Sequence, residues 1–140
     1  MGKMLFIEGN FPSFKNSKQM TKQGFLIMSK TVRNYLKEYE YQWKDEENKK
    51  IFLEMLHGLE KPYKIAIHFV RGTKHKYDWV NMVQGVQDLM VKHNWIEDDN
   101  TDIMYPSLLE IEGSYSSYSK ETPGVYISVE NSDIDEIRRI

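Results

Sequence analysis

Five residues within positions 76–100 carry oxygen atoms suited to a hard divalent cation: Asp78, Asn81, Asp88, Asp98 and Asp99. Carboxylate and amide oxygens are the ligands such ions take. The stretch KYDWVNMVQGVQDLMVKHNWIEDDN reads as a carboxylate, an amphipathic helix, a tight turn and a carboxylate pair. At 100° per residue, Asn81, Gly85, Asp88 and Lys92 fall within about 80° of Asp78 on one stripe. Trp79, Val83, Val86 and Met90 occupy the facing arc and would pack into a core. Gly85 costs about 1 kcal/mol of helix propensity relative to Ala, which a close backbone or ligand approach would rationalise. Asn94 suits a left-handed helix cap, and Trp95 and Ile96 would dock the chain as it turns back towards Asp98 and Asp99. The spacing is equally that of an acidic surface turn.

Other chemistries lack their residues. No cysteine is present, so thiolate metal sites, cysteine nucleophiles and disulfides are excluded, which fits a reducing cytosol. The sequence holds no Gly-rich phosphate loop, no G-x-S-x-G, no H-E-x-x-H and no zinc spacing. His57, His68, His75 and His93 form no metal-ligand pattern, and His68, on a strand, reads as structural. No apolar run reaches the length of a membrane span. Phe6 occupies the hydroxyl position of a myristoylation signal, so Gly2 does not make one.

The formal charge of −2 conceals a segregated distribution. Positions 15–37 carry Lys15, Lys18, Lys22, Lys30, Arg33 and Lys37 with no acidic residue among them. Arg71, Lys74, His75 and Lys76 form a second basic run directly before Asp78, whereas acidic residues collect at 97–102 and 130–136. A basic rim beside an acidic pocket suits an enzyme acting on a polyanion, and solvated surface lysines give the same composition.

The elements that must position these residues follow from local signals. With 140 residues and 40% hydrophobic content, one domain with its own core is expected. Met4–Glu8 reads as a short strand and 11–23 as a long polar loop. Phe25–Met28 reads as a short strand closing a hairpin over that loop. Ser29 caps a helix running through Val32, Tyr35, Leu36, Tyr39 and Trp43, and Asp45 caps a second through Ile51, Phe52, Met55 and Leu56. Tyr63–Val70 alternates as a strand. Ser107–Glu112 and Gly124–Glu130 read as two strands pairing as a hairpin, with a flexible hydroxyl-rich loop at 113–123. Residues 131–140 read as a short helix or frayed tail. The fold class is α+β: a mixed sheet of four to five short strands packed with two to three helices.

The residues of 62–100 resemble the RusA-like family of Holliday junction resolvases, common in phages and prophages. That family shows a strand, then an Asp-x-Asp-Asn-x-x-Lys block opening a helix, an Asp-x-Leu-like pair and a Trp-x-Asp-Asp-like end. Here the block is Asp78-Trp79-Val80-Asn81-Met82-Val83-Gln84. The pair is Asp88-Leu89, and the end is Trp95-Ile96-Glu97-Asp98-Asp99. The resemblance implies a cytoplasmic homodimer that nicks four-way DNA junctions using Mg²⁺, with Mn²⁺ as a substitute. It implies catalytic roles for Asp78, Asn81, Asp98 and Asp99, and metal binding by Asp78, Asp88 and Asp99. Backbone phosphates would be met by Lys15, Lys18, Lys22, Lys74 and Lys76. Two positions depart: Val80 stands where the family has an aspartate, and Gln84 where it has a lysine. Asp88, Asp98 or Glu97 could supply the missing ligand, and Lys74 or Lys76 the missing cation. The departures raise an alternative, a protein that binds branched DNA without cleaving it.

Overall fold

The computed structural model describes residues 3–14, 18–20 and 26–130. The elements run β1 (Leu5–Glu8), β2 (Lys18–Met20), β3 (Leu26–Met28), α1 (Lys30–Tyr39), α2 (Tyr41–Lys44), α3 (Glu46–Leu56), β4 (Tyr63–Arg71), α4 (Trp79–Lys92), β5 (Met104–Leu108), β6 (Ser116–Tyr118) and β7 (Gly124–Glu130). A mixed five-stranded sheet has the order β1-β7-β4-β5, with β6 also paired to β4, and β2 and β3 form a separate antiparallel ribbon. This is the expected α+β domain.

β4 is central because it is the most continuously apolar strand, with 65–70 buried throughout. A strand covered on both faces needs such a run. Ile65, Ile67 and Phe69 join one core cluster with Val32 and Tyr35 of α1, Trp43 of α2, Phe52 and Leu56 of α3, and Val83, Val86 and Met90 of α4. His68, on the opposite face, is fully buried, and both ring nitrogens have partners: the Leu109 carbonyl at 2.9 Å and the Ser117 hydroxyl at 2.7 Å. Its role is structural, as expected.

The cap residues act as the sequence indicates. The Ser29 hydroxyl accepts from Val32 N at 3.4 Å, and the Asp45 carboxylate accepts from Asn48 N at 3.2 Å. The Trp43 and Trp95 rings pack at a tilt with centroids 5.2 Å apart, and the Trp95 indole donates to the Trp43 carbonyl at 2.9 Å. The Trp43 indole donates to the Tyr35 hydroxyl at 3.1 Å, and burial pushes that phenol well above the ordinary tyrosine range. Glu40, between α1 and α2, meets Lys92 at 2.7 Å and His93 at 2.8 Å at the far end of α4. Burial alone would raise its carboxyl, but the hydrogen bonds from Lys92 and His93 bring it below the ordinary value. Gln42 is buried beside β1. Its amide nitrogen donates to the Glu8 carbonyl at 2.9 Å, and its amide oxygen accepts from Glu8 N at 2.8 Å.

The C-terminal half corrects the expected pairing. Ser107–Glu112 and Gly124–Glu130 do not form a hairpin. Each flanks β4 instead, β5 in parallel and β7 antiparallel. β5 both begins and ends earlier than expected, spanning Met104–Leu108, and it runs through Pro106, which a strand at the sheet edge tolerates. The loop expected to be flexible contains β6, where Arg71 faces Tyr118 in parallel register. β2 interrupts the expected loop 11–23, and β3 pairs with β2 inside it rather than closing a hairpin over the whole loop, because β1 is taken by β7.

Candidate metal and nucleic-acid site

The β4–α4–β5 crossover decides which acidic residues can meet. β4 ends at Arg71, the chain crosses to Asp78, α4 runs back, and the loop 93–103 feeds β5. Met104, the first residue of β5, pairs with Tyr63, the first of β4. Asp78 therefore opens α4 at one end of the unit, whereas Asp98 and Asp99 lie in the loop at the other.

Asp78 is an exposed helix cap whose Oδ1 accepts from Val80 N at 3.0 Å and Asn81 N at 3.4 Å. Ten residues separate it from Asp88, about 15 Å along the helix axis at 1.5 Å per residue. No single ion with ligand bonds near 2.0–2.1 Å spans that gap. The expected grouping of Asp78 with Asp88 at one metal is corrected accordingly: the two share an angular sector of the helix but not a height.

Three carboxylates do share one neighbourhood. The Asp98 Oδ1 accepts from Asp99 N at 2.8 Å, and its Oδ2 accepts from the Asn100 amide at 3.1 Å. These bonds, the backbone one first, hold the Asp98 carboxyl below the ordinary aspartate value. Asp99 is half-buried and moves the opposite way. Burial, a hydrogen bond with Asp98 and the charges of Asp98 and Asp88 all raise it. Asp88 is exposed, and its Oδ1 accepts from the Gln84 amide at 3.1 Å. Carboxylates of this kind are ligands that Mg²⁺ takes one or two at a time, together with substrate phosphates and waters. Among the described residues, no three acidic or histidine side chains stand close enough to enclose an ion by themselves. Glu97 forms an ion pair with Lys61.

The open face of α4 also differs from the projection. Val80, Gln84 and Asp88 are exposed, whereas Gly85 is buried. A Cβ at Gly85 would meet the Phe14 ring, at 2.7 Å from Cγ and 2.8 Å from Cε1. Gly85 thus admits an aromatic ring rather than a ligand. Val80 is 68% exposed, and Gln84 places a neutral amide on Asp88. Asn81 is half-buried on the edge of this face.

Of the expected phosphate contacts, Lys74 and Lys76 are exposed beyond the end of β4. Lys18 lies in β2. Lys15, Lys22 and the tail 131–140 lie outside the described residues. Sequence reasoning missed the aromatic partners of the basic run. The Arg71 guanidinium lies 4.3 Å from the Tyr77 ring centroid, and the Lys74 ammonium lies 5.0 Å from that of Tyr118. A cavity of about 770 Å³ beside Met4, Met55, Leu59 and Val129 contains none of the predicted site residues. No helix among the described residues is long and apolar enough to cross a membrane. No protein-family model matches this chain, and no curated protein matches it.

Proposed function

We propose that this protein is a metal-dependent endodeoxyribonuclease acting on branched DNA, with a four-way junction as substrate and a homodimer as the acting unit. The observation that carries this reading is the half-buried place of Asp99 beside Asp98 and Asp88, where burial first, and then the two neighbouring carboxylates, raise its carboxyl. Like charges held together at a half-buried position are relieved by a cation. Asp98 and Asp99 would hold Mg²⁺ or Mn²⁺ with support from Asp88, and when bound the ion supplies Lewis-acid activation of the phosphodiester and of water. The chain contributes an asymmetric pair. Asp98 keeps its charge, whereas Asp99 takes a proton more readily, and divergent neighbouring carboxyls of this kind mark acid–base roles. Lys74 and Lys76 supply phosphate contacts that position DNA without reading its sequence. Two copies would match the two-fold symmetry of a junction.

A second reading, binding of branched DNA without cleavage, draws support from three observations. Val80 puts an exposed hydrocarbon where the family has a carboxylate, Gln84 neutralises no charge on Asp88, and Asp78 is engaged as a cap at the distant end of α4. A labelled four-way junction incubated with Mg²⁺ or Mn²⁺ separates the two. Paired nicks that disappear in Asp99→Asn support the nuclease; a retarded band without nicks selects the binding protein. Binding that is insensitive to salt and to branching removes both.

A further inference from the structure

Beyond the end of β4 lies an open cavity of about 280 Å³ whose lining includes Arg71, Lys74, His75, Tyr77 and Tyr118 and no carboxylate. It is built from the sheet outward. Arg71 and Tyr118 are opposed in the β4–β6 register, and Ser119 N donates to the Arg71 carbonyl at 2.9 Å, so the two side chains leave adjacent, pinned backbones.

Arg71 lacks a counter-ion among the described residues. Its guanidinium stacks on Tyr77 at 4.3 Å, and Nη1 donates to the His75 carbonyl at 3.3 Å. Nε is sealed from solvent without an acceptor. Removing part of a cation from water without an anionic partner is costly, and an aromatic face offsets only part of that cost. Lys74 lies over the Tyr118 ring, also without a carboxylate partner among the described residues, and Tyr118 remains 46% exposed. Two cations, one partly desolvated, thus stand beside a phenol ring with open surface.

We propose that this cavity receives an unpaired nucleotide of the DNA: its phosphate on Arg71 and Lys74, its base against Tyr118. Guanidinium and ammonium groups match a phosphate, and base–aromatic stacking is the usual means of holding unpaired bases. The volume is near the lower end of small-ligand pockets (about 300–1,000 Å³) and fits one such group rather than a duplex. The inference deepens the branched-DNA reading and rests on it for the choice of nucleic acid over other phosphate esters. The site is separate from the Asp98–Asp99 group, at the opposite end of the β4–α4–β5 unit.

Fluorescence anisotropy with a labelled twelve-residue oligothymidylate, and with the same strand carrying abasic positions, tests it. Stacking is worth about 1–3 kcal/mol per base, so Tyr118→Leu is expected to weaken oligothymidylate binding about 5- to 150-fold. The abasic strand should bind the wild-type protein as weakly as oligothymidylate binds Tyr118→Leu. Lys74→Gln, at an exposed position whose ring contact is the ammonium over Tyr118, should weaken both strands and flatten the salt dependence. Equal affinity for the two strands, or no effect of Tyr118→Leu, overturns the inference. If the junction is bound and nicked while the oligomer is ignored, this site is refuted and the nuclease reading stands. Tyr118-dependent oligomer binding without any nicking does the reverse.

Discussion

Replacing Asp99 by Asn tests the acidic site without relying on turnover. Because burial and the Asp98 and Asp88 charges raise the Asp99 carboxyl, folding favours its protonated form. Its contribution to stability is fully present below the unfolded aspartate value and is lost as pH rises through the raised folded value. At neutral pH the metal-free wild type therefore carries an unrelieved repulsion that Asn lacks. Relief of surface charge is commonly worth about 0.5–2 kcal/mol, and the partial exposure of Asp99 places it at the lower end. For a chain of this size each kcal/mol moves the midpoint by about 3–4 °C, so metal-free Asp99→Asn should melt about 2–4 °C above wild type at pH 7. The gap should close as pH falls towards 4. Mg²⁺ should reverse the order, because an ion at 100 times its Kd stabilises by about 2.7 kcal/mol only the protein that binds it. Thermal melts followed by circular dichroism between pH 4 and 8, in EDTA and in a Mg²⁺ series, read both effects. The reasoning is refuted if metal-free Asp99→Asn melts below wild type at neutral pH. It is equally refuted if Asp78→Asn, rather than Asp99→Asn, abolishes the Mg²⁺ response.

Three further outcomes follow from the geometry. Asp78→Ala should cost about 0.5–2 kcal/mol through loss of the α4 cap, whereas Asp78→Asn should be near neutral, as urea unfolding would measure. Gly85→Ala gains about 1 kcal/mol of helix propensity, but the new methyl meets the edge of the Phe14 ring, itself stacked on Phe11 at 5.6 Å. Overpacking costs about 1–3 kcal/mol, so the net change should be destabilising by up to about 2 kcal/mol, and a clear rise in melting temperature would contradict the contact. Glu40→Gln should cost about 1–3 kcal/mol at pH 7 by weakening charged hydrogen bonds to Lys92 and His93. The Glu40 carboxyl is lowered on folding, so that stabilisation is present above the unfolded glutamate value and lost as pH falls through the folded one. The mutant and wild-type melting curves should therefore converge in acid.

Local signals carried most of the fold. Ser29, Asp45, Asp78 and Asn94 mark helix ends by their own chemistry, and Asn94 adopts the left-handed conformation at φ 63°. Pairing between distant segments was illegible. Nothing within Ser107–Glu112 says that β4 will accept a parallel neighbour there, and proximity in sequence favoured a hairpin instead. The grouping of Asp78 with Asp88 failed for a geometric reason. A helical projection records angle and discards rise, so Asp78 and Asp88 looked like partners although ten residues separate them. It also assigned Gly85 to the open face, because the ring that covers it comes from Phe14, far away in the chain. Tyr118 was missed on the same grounds as β5, since its partnership with Arg71 exists only through sheet register.

Gln42 has a consequence for how copies of this chain can associate. A glutamine side-chain amide offers the same donor and acceptor as a peptide unit, and here it fills both positions of Glu8 on the outer side of β1. By alternation, Phe6 is the other outward-facing residue of this four-residue strand. An incoming strand would find too short a ladder to fix its register. At the opposite edge, β5 and β6 are separate short pieces, and Pro106 interrupts the donors of the first. Both borders of the sheet are thereby closed to strand addition, the ordinary route to uncontrolled polymerisation. Association of copies through this five-stranded sheet therefore falls to side chains on its faces and on the elements packed against them, where the geometry can be limited to two copies.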